Sequence, residues 1–230
     1  MHKDDDLQTT AGLLKAVSYF STMDSSALKL VAQSAIRRVY DAGQVILLEG
    51  EPCVGLYIVE SGWLKAVKIG MDGREQVLQT LGPGEVFNAI SVFTDAPNQA
   101  TVTALETSQV WIVRREVLLR MIDDHPALAR QVVKDLAGRV IHLVRLVEDL
   151  SLRSVESRLA RLLLEQAKGE AVQRQRWATQ AEMAARLGTV PDVVNRALRK
   201  LAEAEIIKVE RHQIRILDKE GLIIIAQIVE

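Results

Sequence analysis

The sequence predicts an α+β protein built from an antiparallel β-roll, a long coiled-coil helix and a winged helix-turn-helix, in that order. Three observations lead there. Short apolar runs of period two alternate with turn residues between Val39 and Val113, an apolar stripe repeats at spacings of three and four after Pro126, and a glycine parts two short amphipathic helices at Gly188. The boundaries that follow are 1–123 for the β-rich domain, 124–150 for a dimerisation helix and 151–230 for the winged domain.

An amphipathic helix pair, about Ala11–Phe20 and Ser25–Ala35, opens the first part. Strands are then expected at Val45–Leu48, Leu56–Glu60, Leu64–Ile69, Gln76–Leu81, Thr101–Ala104 and Ser108–Val113. Between them stand Asp41-Ala42-Gly43, Glu49-Gly50-Glu51, Ser61-Gly62, Met71-Asp72-Gly73 and Gly82-Pro83-Gly84, whose residues supply a positive φ, a fixed φ or a local side-chain bond. Short strands at roughly ten-residue spacing, without helical crossovers, form a small antiparallel barrel or roll.

From Pro126 the period changes. Val133, Leu136, Val140, Leu143, Val147 and Leu150 recur at alternating spacings of three and four, flanked by Lys134, Asp135, Arg139, Arg145, Glu148 and Asp149. So narrow a stripe fits a two-stranded coiled-coil seam, which makes a second copy of the chain the expected partner. A helix lying across its own domain is the alternative; dimerisation is preferred because the next segment needs it. A helix at about Val155–Ala167 and a polar loop from Lys168 to Arg176 follow.

Composition narrows the function classes. The 48% apolar content of these 230 residues is enough for packed cores. The net charge of −1 is unevenly placed: residues 151–230 carry 14 Lys/Arg against 11 Asp/Glu, while residues 1–150 carry 15 against 19. The C-terminal part can therefore meet phosphates and the N-terminal part cannot. A single cysteine, Cys53, excludes an intramolecular disulfide, and His2, His125, His142 and His212 are too scattered for a local metal motif, so no metal is expected. Residues Met1–Thr10 are polar and acidic, and no apolar run approaches the roughly 20 residues of a membrane span. A cytoplasmic protein with no membrane partner is expected.

The segment Ala178–Leu201 is the most specific. Thr179 is placed to cap a helix over Gln180–Leu187, with Glu182 at capping-box spacing and Met183, Ala184 and Leu187 on its buried face. Gly188 permits a sharp turn, Thr189 is placed to cap the second helix and Pro191 sits in its first turn. Val194, Ala197, Leu198 and Leu201 then face a core, turning Asp192, Asn195, Arg196 and Arg199 outward. In a major groove, Arg196 can bond a guanine edge, Asn195 an adenine and Asp192 a cytosine amine. Asp192 could instead merely favour the helix N-terminus, and the arginines could be solvated surface. Ile206–Val209 and Ile214–Leu217 frame a hairpin with Arg211 and His212 at its tip, and Gly221–Val229 reads as a final short helix. Thr179, Gln180, Thr189, Pro191, Asp192, Asn195, Arg196, Arg199 and Arg211 are the candidate contacts to double-stranded promoter DNA. Two such domains joined through the long helix match half-sites one helical turn apart.

From about residue 13 to 225 the chain resembles the Crp–Fnr superfamily, the cyclic-AMP receptor protein and its relatives. The resemblance rests on Gly43, Gly50-Glu51, Tyr57-Ile58-Val59-Glu60-Ser61-Gly62, Asp72-Gly73-Arg74-Glu75, Leu81-Gly82-Pro83-Gly84-Glu85, Leu187-Gly188-Thr189-Val190 and Asn195-Arg196-Ala197-Leu198. It implies that the roll is a cyclic-nucleotide-binding-type sensor domain and that the chain regulates transcription as a dimer on a palindromic site. An activator would also need RNA polymerase as a partner. The Fnr branch's Glu-x-x-Ser-Arg is matched by Asp192-Val193-Val194-Asn195-Arg196, which implies an Fnr-like half-site with a central TGA.

The effector cassette departs from the family. Cyclic-AMP binders place Gly-Glu before its short helix and Arg-Ser after it, where this chain has Asn88-Ala89 and Gln99-Ala100. Losing the carboxylate and the guanidinium argues against cyclic AMP, and the lack of four cysteines argues against an iron–sulfur cluster. The stretch Phe87 to Asn98 followed by Ala100-Thr101-Val102 is similar to the dissimilatory nitrate respiration regulators, which leaves haem and the sensing of nitric oxide or CO as an alternative. The candidate effector pocket is Phe87, Asn88, Ala89, Val92, Asn98, Gln99, Ala100, Arg139 and His142. An effector-binding module without a DNA role is the competing class. An enzyme is not indicated, because no paired acid and base, nucleophile elbow or phosphate loop is legible.

Overall fold

The computed structural model describes residues 10–167, 169–173 and 178–227. The chain divides into two compact units, residues 1–68 with 79–142 and residues 69–78 with 143–230.

The first unit begins with helix α1, residues 10–16, and α2, Ser25–Ser34. Helix α1 is shorter than its sequence pattern suggests, because residues 17–22 turn instead. Asp24 caps α2 by accepting from the amides of Ser26 and Ala27, both at 2.9 Å. Eight strands follow: β1 Ile36–Tyr40, β2 Val45–Leu47, β3 Gly55–Ser61, β4 Leu64–Ile69, β5 Glu75–Leu81, β6 Val86–Phe87, β7 Thr101–Ala104 and β8 Ser108–Arg114. They form two four-stranded sheets in the orders β1-β8-β3-β6 and β2-β7-β4-β5, with helix α3, Ala89–Thr94, between β6 and β7. Strand β1 is not legible in the sequence. It is a mostly exposed edge carrying Arg37 and Arg38, so it has no apolar alternation to read.

Strand β3 explains the layering. Its side chains alternate, so Tyr57 and Val59 enter the interior between the sheets with Leu64, Leu81, Phe87, Val102 and Val110. Leu56 and Ile58 enter a second core with α2, helix α4 (Arg115–Asp124) and the start of α5 (Pro126–Leu152). Tyr57 and Phe87, paired across β3 and β6, stack with ring centroids 5.0 Å apart.

In the second unit, α6 (Val155–Gln166), α7 (Gln180–Leu187), α8 (Pro191–Glu203) and α9 (Lys219–Ala226) surround one apolar core with a three-stranded sheet. That sheet runs in the order β10 (Ile207–Val209), β11 (Gln213–Ile216), β9 (Ala171–Gln173). Strand β9 corrects the expectation of a loop over Lys168–Arg176. Val172 pairs with Ile214 and is buried, giving the polar stretch one apolar anchor. Residues 168 and 174–176 of that expected loop, and the last residues of the expected final helix, lie outside the described residues.

Helix α5 is 27 residues long and carries the expected stripe with a correction. Leu136 is half-buried against the first unit's own core rather than turned outward with the rest of the stripe. Before the final turn, where Leu152 is 78% exposed, the most open large apolar positions are Val133, Val140, Val144 and Val147, at 66%, 60%, 62% and 63% exposure, with Ala137 also exposed. Leu143 and Leu150 of the expected stripe are exposed as well, at 39% and 36%, so only Leu136 departs from it, while Ala137 and Val144 widen the open face at a spacing of four, three, four and three with Val133, Val140 and Val147.

Candidate nucleic-acid interface and effector cleft

The reading head is built from two capped helices. Thr179 Oγ1 accepts the Glu182 amide at 3.1 Å, closing the first turn of α7, and the Glu182 carboxylate is buried beside Arg186. Gly188 ends α7 at a φ of +62°, a left-handed backbone that favours glycine, and a Cβ there would lie 2.5 Å from Leu150 Cδ2, so that side chain would have to shift. The Thr189 amide still bonds back to Ala184 O at 2.9 Å, and the residue at the head of α8 is Val190. Thr189 therefore belongs to the turn and does not cap α8, a correction to the sequence reading. Pro191 occupies the first helical turn, where its missing N–H leaves no bond unmade.

Val194, Ala197, Leu198 and Leu201 are buried, which turns the other face of α8 out. Asp192, Arg196 and Arg199 are exposed and Asn195 is half-exposed. Among the described residues neither arginine makes an ion pair, so both guanidinium groups remain open to a ligand. Asn195 Nδ2 donates to Gln180 Oε1 at 3.1 Å, tying the two helices together on this face. Sequence reading named both residues but not their bond, which joins positions 15 apart. At the wing, Arg211 and His212 are exposed between β10 and β11, while Glu210 lies 3.8 Å from Lys208 and 4.0 Å from Arg215. The result is a polar, cationic helix face with a cationic hairpin tip, an arrangement suited to a major groove and its phosphates.

The effector candidates do not gather into one pocket. Phe87 is buried in the core between the sheets, and Ala89 and Val92 are buried in the helical core. Asn88 has a φ of +68° and donates through Nδ2 to Asn98 Oδ1 at 3.1 Å and to Gly55 O at 3.2 Å. Asn98 is buried, donating in turn to Leu48 O at 3.2 Å. Gln99 donates to Pro97 O at 2.8 Å, and Ala100 is half-exposed beside it. The cassette's side-chain amides are thus all engaged in hydrogen bonds within the fold. Arg115 Nη2 pairs with Asp95 at 3.0 Å and its Nε donates to Val92 O at 2.9 Å, so this guanidinium is committed as well. Burial raises the pKa of Cys53, which stays a thiol beneath Asn88.

Arg139 and His142 lie elsewhere, on a cleft of about 510 Å³ between the β5–β6 turn and α5. Its walls include Gln79, Val86, Lys134 and Asp135, none of which sequence reading placed in a pocket. Arg139 bonds Asp135 Oδ2 at 2.7 Å, Gln79 Oε1 at 3.1 Å and the Val86 carbonyl. No local signal could have found this wall, since it joins a strand end to a helix 60 residues later.

The family model of the cyclic nucleotide-binding domain matches residues 37–125, and that of the Crp-like helix-turn-helix domain matches residues 157–224. The cyclic AMP receptor protein of Thermus thermophilus is 30% identical over 175 residues, covering 75% of this chain and 79% of that protein. The chain belongs to the Crp–Fnr family of transcription regulators. This Crp–Fnr chain is also 29% identical over 216 residues to the CRP-like cAMP-activated global transcriptional regulator of Mycobacterium tuberculosis, spanning 91% of the chain and 96% of that relative. FixK2 from Bradyrhizobium japonicum shares the fold, with a TM-score of 0.75 at 23% identity over 85% of this chain and 99% of its own. In the Crp–Fnr regulator described here, the second unit carries the helix-turn-helix DNA-binding domain. Among its described residues no helix is long and apolar enough to cross a membrane.

Proposed function

We propose that this Crp–Fnr regulator binds a palindromic operator as a homodimer and that cyclic AMP does not control it. The observation that carries the reading is α8, whose apolar face is buried while Asp192, Asn195, Arg196 and Arg199 face outward. Pro191 and Thr189 flank that face at its start, and Thr179, Gln180 and Arg211 are assigned to the backbone on either side of the groove. The open stripe Val133, Ala137, Val140, Val144 and Val147 supports a second copy as the partner of α5. Its three-and-four repeat is the spacing a two-stranded seam requires.

The cassette supports independence from cyclic AMP. A cyclic nucleotide needs a carboxylate for the ribose hydroxyl and a guanidinium for the cyclic phosphate. Ala89 and Gln99 supply neither, Asn88 and Asn98 are bonded to each other, and Arg115 is held by Asp95. The residues present do not fit the group. Nor do the walls of the α5 cleft suit an apolar macrocycle: His142 offers an imidazole there, but Lys134, Asp135, Arg139 and Gln79 surround it. Domains 1–123, 124–150 and 151–230 then serve as sensor, dimer helix and DNA reader.

The test is a fluorescence anisotropy titration at fixed salt, because non-specific affinity is steeply salt-dependent. A palindromic duplex with TGA half-sites is compared with a scrambled duplex, with and without cyclic AMP. Selective binding that cyclic AMP leaves unchanged is expected. Selectivity that appears only with the nucleotide would overturn the proposal.

A further inference from the structure

Directly after α5, within the second unit, Arg153 makes contacts that the reading head does not explain. Its side chain is only 12% exposed. Nε stands 2.9 Å from Asp149 Oδ1, and Nη2 stands 3.0 Å from Glu148 Oε1, both on the last turns of α5. Nη1 donates to the carbonyls of Ala226 and Gln227 at 2.9 and 3.1 Å, which close the C-terminal end of α9. A guanidinium there meets unpaired helix carbonyls and the negative end of the helix dipole. Asp149 is shared: Arg161 of α6 reaches the same Oδ1 at 3.2 Å. On the same helices, Leu150 packs against Gly188, and Arg158 of α6 donates to Leu187 O.

We propose that Arg153 is a positioning residue, a latch that fixes the winged domain on the last turns of α5 and so sets the half-site spacing the dimer accepts. The inference rests on the palindromic, dimeric reading given above. One planar cation faces two carboxylates and two carbonyls that lie on opposite sides of the α5–α6 junction: its Nη groups donate to Glu148 and to both carbonyls, while the buried Nε lies beside Asp149 as a charge pair without hydrogen-bond alignment. The junction can bend only if these bonds break together. Each added base pair moves a half-site by about 3.4 Å and turns it by roughly 35°. A rigid junction therefore rejects altered spacings, whereas a loose one follows them.

The experiment uses the full chain and duplexes that keep both half-sites but vary the spacer by −2 to +2 base pairs, together with a single half-site duplex. Wild-type protein is expected to prefer one spacer by about tenfold or more, since simultaneous engagement is lost when geometry forbids it. Arg153→Met is expected to bind the half-site duplex within about twofold of wild type and remain dimeric, while the spacer preference falls below about threefold. Arg153→Lys, with a single ammonium, should recover little of that preference. Undiminished spacer preference in Arg153→Met would overturn the latch, as would parallel loss of half-site binding, which would mark a role inside the reading domain. If Arg153→Met does not fold, Asp149→Asn is read in its place, and the same loosening is required of it. A wild-type protein that binds selectively yet shows no spacer preference would instead overturn the dimeric reading itself.

Discussion

Tyr19 donates its phenolic hydrogen to Asp135 Oδ2 at 2.7 Å, joining residues 116 positions apart. The same oxygen accepts from Arg139 Nε, so one carboxylate links the N-terminal helical segment to α5 and to the wall of the cleft. Burial first, and the Asp135 bond second, raise the tyrosine pKa well above its ordinary 10.0. Below pH 10 the folded and unfolded chains both keep this proton. Above it the unfolded tyrosine ionises and the folded one does not, so stability is lost as pH rises. The slope contributed by Tyr19 is about 1.4 kcal/mol per pH unit. Urea unfolding between pH 8 and 11 should therefore show a smaller alkaline loss for Tyr19→Phe, with Tyr57, raised to about 12, and Tyr40 carrying the rest. An unchanged alkaline slope would show that Tyr19 is not shielded.

The two kinds of apolar residue on α5 should separate in sedimentation equilibrium. Val140→Asp places a charge in the exposed stripe and should give folded monomers. Leu136→Ala removes contacts with the chain's own core and should cost about 2 kcal/mol of stability while dimerisation persists. The reverse pattern would restore the register that includes Leu136 in the seam.

Arg196 and Arg211 should fail differently. Arg196→Ala is expected to lower operator affinity by about 5- to 150-fold, with little change on scrambled DNA, as for a lost base contact. Arg211→Ala should weaken both duplexes alike and reduce the salt slope by about one. Equal effects of the two substitutions on both duplexes would mean that α8 reads no base.

Asn98→Ala leaves Leu48 O and the Asn88 amide short of a buried partner and should cost about 1–3 kcal/mol in urea unfolding. Operator selectivity should survive in the folded fraction, because the bonds of Asn98 serve the fold of the cassette. Loss of selectivity at full stability would return Asn98 to an effector role.

Most of the winged domain was legible because its signals are local. A capping threonine, a glycine turn, a proline in the first helical turn and an apolar repeat of three and four lie within Thr179–Leu201. The core face Val194, Ala197, Leu198 and Leu201 follows from them without knowledge of any neighbour. Strands β1 and β9 were not legible, since an edge strand and a three-residue strand have too little alternation to stand out.

The sequence by itself determined the order of parts, the period of each segment and the residues of the cassette, Asn88-Ala89 and Gln99-Ala100, all of which are properties of neighbouring residues. Tertiary structure alone decided which leucines of α5 face the chain's own core, that Asn88 bonds Asn98, and that Arg153 joins the end of α5 to the end of α9. These are contacts between residues far apart in the chain. A stripe on a helix says only that one face is apolar, whereas the neighbour that covers part of that face is fixed by how the whole chain packs.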